Sequence, residues 1–386
     1  MQRGPTGRFE VTTTAGEAVR AFVPLALPPN PPLDLSGPLQ HRLEQAVVAC
    51  GRLDGVAALL PEPDLFLYAY VRREALLSSQ IEGTQSSLSD LLLFELDELP
   101  GVPFDDVVEV SCYVAALEHG IARLGEGMPL SGRLIREIHA KLLERGRGAD
   151  KQPGEFRRIQ NWIGGTRLGN AHFVPPPPAF LSQCLSELEK FLHAQEKQPA
   201  LILAALAHLQ FETIHPFLDG NGRVGRLLIS LILHDAGLLR QPLLYLSLHF
   251  KQHRAEYYRQ LDQVRQTGDW EAWIDFFLEG AMLTANAAVE TALRLLALFR
   301  EDQARLKSGK RSQQSVQMVF DAMRSRPISN IRQLTTRTGL SFATVAKTVD
   351  QLVTIGLLRE LTGNRRGRVF AYQRYIEILN EGAEPL

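Results

Sequence analysis

The run His215-Pro216-Phe217-Leu218-Asp219-Gly220-Asn221-Gly222-Arg223-Val224-Gly225-Arg226 is the part of this chain densest in groups that can do chemistry. Gly220 and Gly222 permit tight turns that set successive backbone N–H groups on one side. With the positive end of a following helix, those donors make a concavity for an anion. Arg223 and Arg226 are three apart, so both project from one helix face toward the same anion. Asp219 lies beside that pocket, where phosphate would repel a carboxylate. A shared Mg²⁺ removes the conflict, because this ion favours one or two carboxylates with phosphate oxygens and water. His215 is the nearby side chain that ordinarily titrates near neutrality, as a general base must. The run has neither the GxxxxGK[ST] spacing of a P-loop nor the alternating oxygen ligands of an EF-hand.

Such groups need rigid elements to hold them. Apolar residues recur at helical spacing over 39–60, 64–99, 105–124, 131–145, 179–195, 199–213, 222–236, 251–266 and 269–300, so the expected class is mainly α. Residues 154–165 break this rhythm with a weak alternation, and Phe173-Val174 then runs into Pro175–Pro178; two short strands around a Gly-rich turn are expected there. Residues 1–35 are rich in Gly, Pro and Thr and read as an extended leader lying along the body.

The net charge of −1 hides a split. Residues 305–375 carry 14 Lys/Arg and 3 Asp/Glu, leaving 28 basic and 40 acidic residues elsewhere. After a polar hinge at 307–312, the order helix (313–325), helix (330–338), turn at Gly339, helix (341–355) and two strands around 362–367 is that of a winged helix. Arg365, Arg366 and Arg368 at the wing, with Lys347 on the third helix, suit phosphate contacts; Ser341, Thr344 and Thr348 on that helix read bases poorly. DNA and protein both remain open as its partner. Cys50, Cys112 and Cys184 are too scattered for a disulfide framework or a zinc ribbon, which suits a reducing compartment. No apolar run approaches a membrane span, and the stretch 21–27 is interrupted by Pro24 and has no signal-peptide form, so the expectation is a cytoplasmic protein without a membrane partner.

The His215–Arg226 run resembles, position by position, the HxFx(D/E)GNGRxxR signature of the Fic family, whose members mostly transfer AMP from ATP to protein hydroxyls. The resemblance extends over about residues 40–300. The expected hairpin at 154–175 looks like the family's flap, and Ser78-Ser79-Gln80-Ile81-Glu82-Gly83 fits its inhibitory (S/T)xxxE(G/N) pattern. Because that pattern precedes the active-site run, the chain is similar to the subclass with an N-terminal inhibitory helix, here about 64–99. The expected domains are thus a leader 1–35, a body 36–304 that the resemblance implies is a Fic domain, and a winged helix 305–386.

The resemblance also implies roles. His215 takes the proton from a Ser, Thr or Tyr hydroxyl of a target protein, and Asp219 holds Mg²⁺ between the α- and β-phosphates. Gly220, Asn221, Gly222, Arg223, Val224 and Gly225 form the ATP-binding run, and Arg226 pairs with the γ-phosphate. Tyr257 and Tyr258 lie in the adenine-side segment. Trp162, Ile163 and Gly164 of the flap dock the target, and Ser78, Glu82 and Gly83 form the inhibitory element. A carboxylate of Glu82 on Arg226 would deny the guanidinium to ATP. Homodimers are common among such relatives. Two other readings stand beside protein adenylylation: a DNA-binding regulator whose body senses nucleotide, and an enzyme that removes AMP or transfers another phospho-group.

Overall fold

The computed structural model describes the chain apart from residues 1, 15–16, 60–62, 97–102, 196–197, 308–312, 364–366 and 385–386. Of the expected hinge at 307–312, Lys307 ends the last helix of the body and residues 308–312 lie outside the described residues, as do the wing arginines Arg365 and Arg366. Fifteen helices and five strands are present among them, in keeping with a mainly α chain.

The first surprise is at the N-terminus. Strands β1 (Gly7–Thr14) and β2 (Glu17–Pro24) form an antiparallel hairpin with Phe9 opposite Phe22 and Val11 opposite Arg20. The leader is therefore not extended throughout. β-Branched and aromatic residues in GRFEVTTT and EAVRAFVP favour a pleated pair, and the prolines that oppose one begin only at Pro24.

The body follows as α1 (Pro38–Leu59), α2 (Pro63–Ile81), α3 (Leu88–Phe94), α4 (Phe104–Gly125), α5 (Gly132–Leu142), α6 (Pro178–Leu192), α7 (Ala200–Ile214), α8 (Asn221–Asp235), α9 (Ser247–Gln252), α10 (Arg254–Thr267) and α11 (Trp270–Lys307). α7 is buried from Leu201 to Ile214 except at Leu203 and packs closely on α8, so the pair forms the centre of the bundle. Gly120 of α4 lets that helix approach α8; a Cβ there would sit 2.9 Å from Leu231.

α11 is long and apolar enough by composition to cross a bilayer, which the run-length reading did not anticipate. It packs along α1, and its Asp275 and Glu279 pair with Arg42 of α1 at 3.1 and 3.6 Å. Trp273, Phe277, Ala281, Ala285 and Ala288 are buried, as in the core helix of a bundle.

Residues 313–380 form α12 (Gln313–Ser325), β3 (Ile328–Asn330), α13 (Ile331–Thr338), α14 (Phe342–Thr354), β4 (Arg359–Glu360), β5 (Val369–Ala371) and α15 (Gln373–Asn380), with β5 between β3 and β4. Ser341 caps α14 by accepting from the Thr344 N–H. This unit sits on the body. The Tyr372 hydroxyl donates to buried Asp302 of α11 at 2.6 Å, and Arg326 lies over the Tyr68 ring of α2 at 3.7 Å. The three cysteines are free, buried thiols.

Candidate active site

α7 ends at His215, which adopts the left-handed conformation (φ +48°, ψ 60°), and Pro216 prevents the helix from continuing. A β-carbon is strained in that region, so the surroundings must hold it. They do so through buried Arg157, whose Nε donates to the His215 carbonyl at 2.9 Å and whose Nη2 donates to the carbonyl of Pro176 at 2.5 Å. Asn221 clamps the loop: its Oδ1 accepts from the Phe217 N–H (2.8 Å) and its Nδ2 donates to the Phe217 carbonyl (2.9 Å). Gly220, at φ +75°, then turns the chain into α8.

His139 of α5 supports the same loop from below. Its ring stacks on Phe217 with centroids 3.7 Å apart and planes 5° from parallel. The Gly154 N–H donates to its Nδ1 (2.8 Å), so Nε2 carries the hydrogen and donates to the Asp219 carbonyl at 3.1 Å. Burial lowers its pKa to about 4, which keeps it neutral in that role.

The loop opens onto two adjoining cavities. One, of about 490 Å³, is lined by the flap residues Trp162, Ile163 and Gly164 and, across from them, by Arg226, Tyr257 and Tyr258. The other, of about 310 Å³, is lined by Asp219–Arg223 and Arg147. Glu82, His215 and Gly222 line both. A larger groove of about 620 Å³ beside Phe156, Arg157, Leu181 and Leu185 contains none of the motif's side chains, so chemistry rather than size assigns the site.

Glu82 stands just past the end of α2, in a turn that Gly83 makes possible at φ +101°. Its Oε1 is 2.7 Å from Arg226 Nη2, and Arg226 also donates to the Ser78 hydroxyl and carbonyl, each at 2.9 Å. Burial pushes the Glu82 carboxyl up, but Arg226, Arg223 and His215 outweigh it and hold the group below its ordinary value. The carboxylate also rests on Gly222, where a Cβ would lie 2.4 Å from Oε1.

His215 is pushed down to about 3, first by burial and then by Arg157 and Arg265, so its imidazole is neutral at physiological pH. Its Nδ1 lies 4.0 Å from the carboxylate of Glu212, one helical turn earlier. Arg223 is buried and points its Nη1 at Glu109 of α4 (2.9 Å), and Glu109 also accepts from Arg147 at 2.9 Å. Asp219 Oδ1 accepts from the Gly220 N–H at 2.6 Å.

The structure brings His215, Asp219, Gly220, Gly222, Arg223 and Arg226 together with Glu82, Tyr257, Tyr258 and flap residues 162–164. Val224 and Gly225 are not brought to the cavity. Val224 is fully buried in the core, and Gly225 faces Glu212 and His208, where a Cβ would lie 2.3 Å from Glu212 Oε1. Ser78 is buried behind Arg226 rather than exposed to the cavity. Tyr257 lines the wall but donates or accepts at His208 (2.8 Å), which ties it to the core. The flap is a chain reversal closed by one antiparallel bridge, Ile163 with Phe173, rather than two full strands; β2 flanks it through a Phe22 N–H to Val174 carbonyl bond. Glu109, Glu212, Arg147, Arg157 and Arg265 went unnoticed in the sequence. Only Glu212 had a signal there, its i, i+3 spacing from His215.

Among the described residues no cluster of three His, Cys, Asp or Glu is placed to hold a metal by itself. Asp219 alone fits a hard dication that takes its remaining oxygen ligands from a phosphate and water.

Residues 40–122 match the Fic/DOC family N-terminal profile, and residues 129–233 match the Fic/DOC family profile. A protein adenylyltransferase Fic from Culex quinquefasciatus is 37% identical over 204 residues, and one from Aedes aegypti is 38% identical over 206. Each match covers 52% of this chain and 38% of the relative, so the chain spans about four-tenths of the length of the curated relatives it matches. A crystal structure of a Fic family protein from Desulfovibrio desulfuricans G20 is similar with a TM-score of 0.55 and 18% identity, covering 87% of this chain and 96% of that one. Fic-1 (residues 134–508) from C. elegans is similar with a TM-score of 0.51 and 21% identity, covering 67% and 73%. At those identities the structural likeness speaks for the fold. With the HxFxDGNGRxxR run and the Glu82 turn both inside the matched residues, residues 40–233 of this chain carry the N-terminal and Fic domains of the Fic/DOC family.

Proposed function

We propose that this chain is an autoinhibited protein adenylyltransferase, moving AMP from ATP to a Ser, Thr or Tyr hydroxyl of a target protein. The observation that carries the reading is the seat of Glu82: its carboxylate fills the junction of two cavities, on the guanidinium of Arg226 and beside a neutral imidazole. A triphosphate would place its terminal anion on that guanidinium. Relatives named protein adenylyltransferase Fic support the same class of reaction.

His215 Nε2 accepts the hydroxyl proton while the oxygen forms a bond to the α-phosphorus. The bond from that phosphorus to the α,β-bridging oxygen breaks, and pyrophosphate leaves with the electron pair. Backbone N–H groups at the start of α8 and the side chain of Arg223 stabilise charge on the phosphates. Asp219 would hold Mg²⁺, which supplies charge neutralisation for the phosphates when bound. Trp162 and its neighbours present an edge to which an extended target segment adds by backbone hydrogen bonds. While Glu82 stays on Arg226, ATP lacks its γ-phosphate partner and binds unproductively.

The winged-helix reading of residues 313–372 rests on their element order and three-stranded sheet. DNA contact through it is less well supported. Arg368 pairs with Glu360 and Asp350, Arg374 with Glu301 and Asp302, and Arg326 with Glu95, so much of the basic excess is spent within the molecule. On α14, Thr348 is buried rather than exposed, while Phe342 is 61% exposed. A protein partner suits such a face better than a base-reading one. Incubation with ATP labelled at the α or the γ position tests the main reading: AMP transfer retains only the α label, whereas phosphate transfer retains only the γ label.

A further inference from the structure

We propose that Glu212 is a positioning residue for His215, its carboxylate orienting the imidazole and stabilising the imidazolium that forms as the target hydroxyl loses its proton. This rests on His215 being the general base.

Both residues lie at the C-terminal end of α7, with Glu212 Oε2 4.0 Å from His215 Nδ1. Neither Glu212 Oε1 nor His215 Nδ1 finds a well-aligned protein partner, although both atoms are buried. The Glu212 carboxylate is the acceptor group set toward Nδ1. Nδ1 therefore carries the hydrogen, and Nε2 keeps the lone pair that receives the target's proton. A carboxylate oxygen buried without a hydrogen-bond partner is costly unless something there uses it.

The fold makes room for this carboxylate. Gly225 is the one position in the active-site run where any side chain would strike it, since a Cβ would sit 2.3 Å from Oε1. The glycine that contributes nothing to the cavity thus accounts for its place in the run. Glu212 itself lines the 490 Å³ cavity, within reach of the reacting groups.

Glu212 is surrounded by charge from several elements. Arg226 of α8 and Arg265 of α10 favour its ionised form, Glu82 after α2 opposes it, and His208 of α7 and Tyr257 of α10 complete the shell. Burial dominates and raises its pKa to about 7. Around neutrality the carboxyl therefore titrates, and only its ionised form can support a positive imidazolium. The proton passes from the hydroxyl to Nε2; Nδ1–H stays on the ring and points at Glu212, which gains no proton. The arrangement follows the logic by which a buried carboxylate serves a catalytic histidine in acyl transfer, on an unrelated fold.

The test uses the full chain carrying Glu82→Gly, so that transfer is measurable, and follows AMP incorporation from α-labelled ATP between pH 5.5 and 8.5. Adding Glu212→Gln, nearly identical in shape, should lower kcat about tenfold to a hundredfold, a fraction of what general-base catalysis contributes. KM for ATP should change less than about threefold, as expected when a group acts only in the transition state. The rise in kcat with pH, which sits below 7 once Glu82 no longer opposes ionisation of Glu212, should disappear. A kcat within twofold of the parent, or a lower kcat with the same pH profile, overturns the proposal. His215→Ala in the same background separates the two readings. If it still transfers AMP, the general base is wrong; if it is inactive while Glu212→Gln is not impaired, only the role of Glu212 fails. Should Glu212→Gln not fold, ¹⁵N shifts of the His215 ring in the unmodified chain decide: a neutral ring protonated at Nδ1, with shifts that move near pH 7, supports the proposal, and protonation at Nε2 overturns it.

Discussion

Glu82 and Arg226 form an unequal pair: at 2.7 Å from each other, the arginine side chain is 2% exposed and the glutamate 34%. The guanidinium is fixed from behind by two bonds to Ser78, whereas the carboxylate reaches it from a turn at the cavity's edge. Removing the glutamate therefore leaves the arginine in place, facing the cavity. That asymmetry suits the proposed lock, whose movable element would be the one less built into the core.

Glu109 is a second carboxylate beneath the site, and its loss should be structural. It is 2% exposed and serves both Arg223 and Arg147. Glu109→Ala leaves buried Arg223 with only the more distant Asp219 at 3.7 Å, which costs up to about 3–5 kcal/mol. Urea denaturation of the variant should show a lower midpoint with an unchanged slope.

Stability should fall on both sides of neutrality. Burial lowers His139 and His249 to about 4 and His208 and His215 to about 3, from 6.5. The unfolded chain therefore binds more protons below pH 6.5, and stability is lost as the pH falls through that range. Glu74 and Glu212 are raised by burial to about 8 and about 7, from 4.5. Their contribution is complete below 4.5 and is lost as pH rises toward those values. Each net proton difference changes stability by about 1.4 kcal/mol per pH unit. Denaturation midpoints between pH 5 and 9 should peak between about 6.5 and 7, and Glu74→Gln should flatten the alkaline side.

The flap prediction separates backbone from side chain. Trp162→Ala removes the ring but keeps the N–H, whereas Trp162→Pro removes both. If the target docks by strand addition, the proline variant should modify its target about tenfold more slowly than the alanine variant, with equal ATP affinity. Equal rates would leave docking to the side chain alone.

Residues 381–384 brace α2 and the turn that carries Glu82. Arg73 of α2 donates to the Glu381 carbonyl (2.6 Å), Gln80 donates to the Ala383 carbonyl (3.1 Å), and Lys251 bonds both Gln80 and the Glu384 carbonyl. Truncation after Asn380 should remove these three carbonyl acceptors and loosen the turn that carries Glu82. Hydrogen exchange at residues 76–84 should quicken by at least about tenfold relative to α7 and α8.

Much of this site could be read in the sequence because its parts are contiguous. His215 through Arg226 fall within one loop and the start of one helix, and most helices of the body are long enough for their apolar period to be visible; short α3 and α9 are not, and the helical stretch expected over 64–99 is α2 and α3 parted by the turn at Glu82. Glu82 is remote, but the Ser78–Gly83 spacing reproduces a helix end that needs glycine at positive φ. Arg157, Glu109 and His139 were not legible. Each is a single polar residue, and its role comes from tertiary contacts with a loop 58 to 114 positions away. The N-terminal hairpin was missed for another reason: the prolines of 24–32 drew the reading toward an extended leader, although the preceding strands carry strong β formers.

The most direct measurement compares AMP incorporation from α-labelled ATP by the unmodified chain, Glu82→Gly, and Glu82→Gly with His215→Ala. A carboxylate lock over an imidazole base predicts low incorporation, a rise of at least about tenfold, and a return to background with ATP binding retained. Equal incorporation by the first two proteins, both folded, would contradict it.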